Sequence, residues 1–497
     1  MDRTAARRVL AAALALGVLA EVLFNGPALG INVPLAVVAL LAAGSLVRRS
    51  GTAPDALDAW LPVAAVACAA CVALTGDRFL ALVDTIAALG FSGATVVALS
   101  GVPVTRRSAE VVAALGAFAL IAVGVGAGSI LRMARPLDGA PRRFPATALP
   151  IARGLLLGVP LALLFAVLFA SADPIFRRSM DDLLGFGIDL GDLPGRVLFA
   201  LACAWLAGGL LSVAASGVPQ LAGSSLGAAA GWQTAPRAKP LGSPEAIVIL
   251  VLVDLVSGVF VALQVAYLFG GLDTLAAAGM TYSDYARRGF FELVAAACLA
   301  GGLLVALEIA TAGRTRAYLA AALVLVGLTL VVLVSAWLRL ELYQQAYGWT
   351  ELRFYVAAAI VTLGLALAFG GFLLVRDRMR WLAHGIAVIG LVSLLTLNAL
   401  APAAFVATRN VERAIDSSLV PQDGWVGLDT GYLGALGDDA VPVLVDALPR
   451  LDAPRRSEVL AQLLERRREL TTDPARTSPA AWNLSRERAK AALATLP

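Results

Sequence analysis

Residues 317–337 read AYLAAALVLVGLTLVVLVSAW, 21 residues without one charged side chain. At 1.5 Å per residue an α-helix of that length spans about 30 Å, the thickness of the hydrocarbon core of a bilayer. The run is continuously apolar and rich in Ala and Leu, with none of the alternation a membrane β-strand requires. Stretches of the same kind recur at 9–24, 31–47, 59–74, 79–101, 109–131, 150–170, 194–216, 245–269, 289–312, 354–375 and 381–400. The pattern predicts an all-α fold: a polytopic transmembrane helical bundle of about 12 spans. The range is 11–13, because the first three stretches are short and Pro34 and Pro62 fall inside two of them. Composition agrees, with 59% hydrophobic residues, 15% charged residues and a mean hydropathy of +0.82.

The formal net charge is +4, and of the 39 basic residues only Lys239 and Lys490 are lysine. The arginines stand in short segments between spans, where the excess of positive charge on cytoplasmic loops accounts for them, so nucleic acid is not an expected partner. Arg132 to Arg143, Arg237 with Lys239, Arg314 with Arg316, and Arg376 to Arg380 mark one side as cytoplasmic. The loops 171–193, 270–288 and 338–353 fall on the other, and the same parity puts everything after residue 400 outside an inner (plasma) membrane. Arg3 to Arg8, Arg48 with Arg49, and Arg106 with Arg107 disagree. They place the N-terminus inside, which twelve spans and an outward tail do not allow. Either one of the first five segments is miscounted, or one loop breaks the rule.

Beyond Thr408 the last 90 residues carry 12 basic and 13 acidic side chains, as a solvated domain does. Asp438 and Asp439 precede an apolar stripe of Val441, Leu444, Val445 and Leu448, and Val459, Leu460, Leu463 and Leu464 form the next. The segmentation is thus N-terminal spans over 1–149, a membrane core over 150–407 and a helical extramembrane domain over 408–497. One or two helical hairpins bury too little surface to stand alone, so this domain is expected to rest on the bundle.

A charge deep in a bilayer costs several kcal/mol unless paired or hydrated, so intramembrane acids are candidates for function. Asp254 lies about ten residues into its span, with Ser257 and Gln264 on roughly the same helical face. The alternative is a buried acid that fixes helix packing. Glu21, Asp84, Glu292 and Glu308 take the packing reading, and Asn398 is read as bonding another helix. A second candidate site is the external face. There, TYSDYARRGFFE (281–292) offers Tyr282, Tyr285, Arg287, Arg288 and Glu292, the arginines neutralised by nearby acids or bound to an anionic lipid phosphate. Residues 338–355 place Arg339, Glu341, Glu351 and Arg353 around Gly348, with Tyr343 and Tyr347 at the headgroup level. The pattern reads as two helix ends joined by a tight turn that gathers those charges. Asp173 in SADPIF precedes a proline helix stop, and the acids after it lack the ligand spacing of a calcium loop.

Other chemistry is thinly supported. Cys68 and Cys71 form a C-x-x-C without the βα context of redox sites and read as packing residues. A single histidine, His384, leaves no set of metal ligands. Gly90 to Gly93 spell GFSG, a form found in intramembrane serine proteases, yet Ser92 and His384 stand at different depths of their spans. Walker, kinase and dinucleotide signatures are missing, so no cofactor is expected.

Several unusual phrases occur in order: SADPIF, VALQVAYLFGG, TYSDYARRGFFEL, RLELYQQAYGWTELRFY, LDTGYL, DAVPVL and WNLSRERA. Together they resemble a bacterial membrane family catalogued as domain of unknown function 4173, over residues 150–497. The resemblance implies a polytopic membrane protein and names no activity. The functional expectation is a non-enzymatic transporter-like or sensor-like module with an external aromatic and charged face. The competing expectation is an envelope scaffold that binds a protein partner through the external loops and tail, and the remote one an intramembrane serine hydrolase.

Overall fold

The structure, a computed structural model, describes residues 3–48, 53–107, 111–112, 116, 193–216, 241–269, 290–421, 424 and 427–497. Among the described residues ten helices belong to the bundle: α1 Arg3–Phe24, α2 Asn32–Val47, α3 Trp60–Val72, α4 Arg78–Leu99, α5 Leu193–Ser216, α6 Ser243–Phe269, α7 Phe290–Ala310, α8 Arg316–Tyr347, α9 Glu351–Val375 and α10 Leu382–Leu400. Local chemistry sets their starts. Asp77, Thr315 and Thr350 each turn a side-chain oxygen back to a free N–H of the first turn, of Leu80, Tyr318 and Arg353 respectively. Apart from a two-residue parallel pair, Leu241–Gly242 with Thr311–Ala312, the described fold is helical.

Six of these helices are long and apolar enough to cross a membrane: Arg78–Leu99, Ser243–Ala262, Leu293–Ala310, Arg316–Tyr347, Glu351–Val375 and Met379–Leu400. The expected twelve are not reached among the described residues. Helices α2 with 16 residues and α3 with 13 are short of the roughly 20 that a hydrocarbon core requires, and α1, though 22 residues long, carries Arg3, Arg7, Arg8 and Glu21. The stretches expected at 109–131 and 150–170 lie outside the described residues, apart from a few positions.

Several apolar groups hold the described bundle together, among them Leu250, Leu307 and Leu325, which join α6, α7 and α8. Val9, Val47, Leu61, Val96, Leu211 and Val213 join α1 through α5, and Leu293, Leu333, Leu340, Ile360 and Leu367 join α7, α8 and α9. Helix α10 ties them, its Leu394 buried with Val37, Cys68 and Leu80 while its main partner is α9. The closest backbone approach joins α1 to α5: a Cβ on Gly17 would lie 2.3 Å from the Ala200 carbonyl oxygen.

The ends of the helices sort by charge. Asp58, between α2 and α3, accepts from the N–H groups of Val104 and Thr105 after α4 (3.0 and 2.8 Å). Trp60 stacks edge-on against His384, which stacks on Trp381, and Arg314 pairs with Asp377. Arg7, Arg8, Arg48, Arg106, Arg314, Arg316 and Arg376 to Arg380 therefore share one end of the bundle. The segments 25–31, 73–77 and 348–350 share the other. Helix α5 enters from that second end, because Arg196 pairs with Glu21 at 2.5 Å and Val213 packs near Val9. The described arginine loops, early and late, thus agree, while Arg132 to Arg143 and Arg237 with Lys239 lie outside the described residues.

The tail begins as the chain turns through Ala401 (φ +45°) into α11 Pro402–Ile415, with proline in its first turn. It continues as α12 Thr430–Ala435, α13 Val441–Ala447, α14 Ala453–Thr472, α15 Pro474–Thr477 and α16 Leu484–Leu493. Its core is Leu433, Val441, Leu444, Val459, Leu463, Leu470 and Leu493, with Phe354 of α9 built into it. Arginines close helix ends here. Arg466 donates to the Gly434 and Leu436 carbonyls, and Arg467 to those of Leu493 and Leu496, where free carbonyls and the helix dipole both favour a cation.

Candidate functional site

Helix α3 ends without a helical partner for its last carbonyls, and a buried end of that kind needs donors. The tail supplies them. Asn483 Nδ2 donates to the carbonyls of Val72 (2.9 Å) and Thr75 (2.8 Å), and the Leu484 N–H donates to that of Ala73 (2.8 Å). Asp439 Oδ2 accepts from the Gly76 N–H at 2.6 Å. A Cβ at position 76 would lie 2.5 Å from Ser485 Oγ and 2.9 Å from the Asp438 nitrogen, so this close approach requires glycine. Two more bonds reach the α1–α2 loop, Ala28 N–H to Ala475 O and Ile31 N–H to Trp482 O, both 2.8 Å.

Helix α11 holds the α8–α9 turn in the same manner. The Asn410 amide accepts from the Trp349 N–H (2.9 Å) and donates to the Trp349 carbonyl (2.8 Å), while Arg413 donates to the Gln345 and Ala346 carbonyls at the end of α8. Gly348 takes φ +84° beneath Asn410, a conformation that favours glycine. All three described loops at this end of the bundle are thus bound to the tail.

At the centre of this latch stands a cluster of acids and phenols. Asp77 caps α4 and accepts from the Tyr355 hydroxyl of α9. The Glu351 carboxyl at the start of α9 stands near that of Asp77, so two like charges meet in one place. The Glu351 N–H donates to the Tyr432 hydroxyl of α12 at 2.8 Å, which brings the tail into the cluster. Burial raises the Asp439 carboxyl above its ordinary value, against the opposing bond from the Gly76 N–H, and burial raises the Tyr432 phenol as well. The arrangement joins polar groups of α4 and α9 to the tail through hydrogen bonds, beside the apolar contact that Phe354 makes with the tail core.

The residues singled out in the sequence divide. Glu351 belongs to the cluster. Arg353 donates to the Gly348 carbonyl (2.5 Å) and lies 4.0 Å over the Tyr343 ring, which stacks on Tyr347. Arg339 is buried and Glu341 exposed, so the four charges around Gly348 face different surroundings. Asp254 and Ser257 are half-buried on α6, and Asp254 Oδ1 has no hydrogen-bond partner among the described residues. The side chains of Gln264 and Glu292, and residues Asp173, Tyr282, Tyr285, Arg287 and Arg288, lie outside the described part. Ser92 donates to the Ala88 carbonyl (2.7 Å) while His384 stacks on two tryptophans, so neither is engaged as a dyad would require. Asp77, Tyr355, Tyr432 and Asn483 are not singled out by the sequence reading, and Asp439 is marked only as an acid preceding a helix. The Thr-Gly-Asp before α4 is a capping signature that marks Asp77, and nothing local marks the other three.

A family model described as a domain of unknown function (DUF4153) matches residues 35–447. The number differs from the 4173 suggested by the phrases quoted above, and the match begins earlier; the status of unknown function is common to both. No curated protein and no solved structure matches the chain.

Proposed function

The chain belongs to the DUF4153 family, and from that premise we propose a non-enzymatic, sensor-like or transporter-like membrane module whose tail follows the state of the helix bundle. The reading is supported above all by the latch: a separate helical core whose hydrogen bonds end on three loops of the bundle and on the Asp77–Glu351–Tyr355 cluster. A tail that served only to solubilise the protein would not need its buried amides there.

The raised carboxyl of Asp439 gives the test a sign. The docked state holds that proton more tightly than the open state, so docking gains stability at low pH and loses it as pH rises through the raised value. Hydrogen exchange of the full chain in lipid nanodiscs, compared at successively higher pH, is expected to show residues 72–77, 348–351 and 482–486 losing protection together. Asp439→Asn should flatten that dependence. Exchange of the tail that ignores the loops, or a pH dependence unchanged in Asp439→Asn, overturns the reading.

Orientation follows from charge. With the arginine-bearing end cytoplasmic, the tail is outside the inner membrane, and two ends on opposite faces require an odd number of crossings, 11 or 13 within the expected range. A reporter that works only outside the cytoplasm is expected to be active when fused after Pro497. Activity of a cytoplasm-only reporter at the same position defeats this orientation.

A further inference from the structure

Seven residues beyond Asp77, about 10 Å deeper along α4 and on the same face, stands Asp84, which has no exposed surface. Asn398 of α10 donates Nδ2 to its Oδ1 at 3.0 Å and, with the same nitrogen, to the Leu394 carbonyl. The other oxygen, Asp84 Oδ2, is buried with no hydrogen-bond partner among the described residues, and so is Asn398 Oδ1. An ionised carboxylate has room for about four donors, and a buried one left short of them carries the full penalty of its desolvation.

Beyond that one bond from Asn398, the described titratable surroundings do not favour a negative charge. The titratable groups that act on Asp84 are Asp77 at the head of its own helix, Cys68 and Cys71 of α3, and Tyr355 of α9. Each of them becomes negative when it ionises, and none is a base. Asn398 of α10 is neutral, and its one hydrogen bond to Oδ1 favours the ionised form. A negative charge on Asp84 therefore has a single neutral donor, among the described residues, against several groups that repel it.

Two buried acceptors of one side-chain pair lack a donor, and a proton supplies one. A hard metal ion needs about six oxygen ligands, and no group of three or more metal-binding side chains occurs among the described residues. We propose that Asp84, held by Asn398, is an intramembrane proton-binding site that is loaded at neutral pH. The site lies about two helical turns below the acid and phenol cluster of the latch. The proposal goes beyond the latch and stands whether or not the tail moves.

The test uses the full chain in nanodiscs of phosphatidylcholine and phosphatidylglycerol, with infrared difference spectra across a pH titration. A carboxylic-acid C=O band is expected at neutral pH, shifted in heavy water and by ¹³C-aspartate labelling, and lost reversibly as the pH is raised. Asp84→Asn, which mimics the protonated acid in shape and neutrality, should fold and lack that band. Asn398→Ala removes the bond that favours the ionised form, so the band should move in frequency and persist to higher pH. If Asp84→Asn fails to fold, the labelled wild type and Asn398→Ala carry the test. Absence of an aspartic-acid band at neutral pH, or a band identical in wild type and both variants, overturns the proposal. Bleaching of the band by sodium at constant pH assigns the site to a metal cation and overturns it too.

Discussion

Asn483→Ala is expected to leave the tail open about a hundredfold more often than in the natural chain. The amide makes two bonds to the end of α3, to Val72 and Thr75, and its Oδ1 accepts from the Arg486 N–H at 3.1 Å to start α16. Each such bond contributes about 1 kcal/mol net, and a buried carbonyl left without a donor costs about as much again. A loss of about 3 kcal/mol corresponds to roughly two orders of magnitude in the open population. Limited proteolysis and hydrogen exchange of residues 430–497 in nanodiscs read it directly. Asn483→Asp keeps the oxygen that caps α16 and loses the donors to α3, so it should resemble the alanine variant in docking. An alanine variant with natural protection would mean that the latch is held elsewhere.

Gly17→Leu should be the most damaging single change within the bundle. Any Cβ there meets Ala200 O at 2.3 Å, Ala204 Cβ at 2.6 Å and Ala204 N at 3.0 Å, two of the three belonging to the backbone of α5. Backbone atoms cannot swing aside as a side chain does. The helices must separate, and the close packing that holds helices together in lipid goes with them. Overpacking of this kind costs about 1–3 kcal/mol even where neighbours yield. Thermal unfolding in detergent should show Gly17→Ala lowered and Gly17→Leu lowered further, whereas Gly90→Ala, with nothing within 4 Å of its Cβ, should stay near the natural value. Equal stability of Gly17→Leu and the natural chain would show that α1 and α5 do not pack this closely.

The helices were legible because apolar run length is a local property. Residues 317–337 announced α8, although the helix runs to Tyr347, since the amphipathic residues beyond the apolar run still satisfy their backbone until Gly348 ends it. The number of membrane-crossing helices was less legible, because α2 and α3 are apolar enough but too short. The sites divide by the same principle. Depth within a span brought Asp254 forward and left Asp84 among the packing acids, yet what distinguishes Asp84 is the partner across from it. That partner, Asn398, is 314 residues away and was read only as bonding some other helix. The latch was hidden for the same reason. Glu351, Tyr355, Tyr432, Asp439 and Asn483 all fall in the unusual phrases of the sequence, but only folding brings four of them and Asp77 to the same few ångströms of loop.

The bonds from Asn483 to Val72 and Thr75 close across 411 and 408 residues. At a synthesis rate of roughly 5–20 residues per second, some 20–80 s separate the making of these partners. During that interval the end of α3 has no Asn483 to bond, and water or a chaperone must stand in for it. The bundle is therefore finished from its last residues backward, and a ribosome that stops short of them leaves an early helix open at one end.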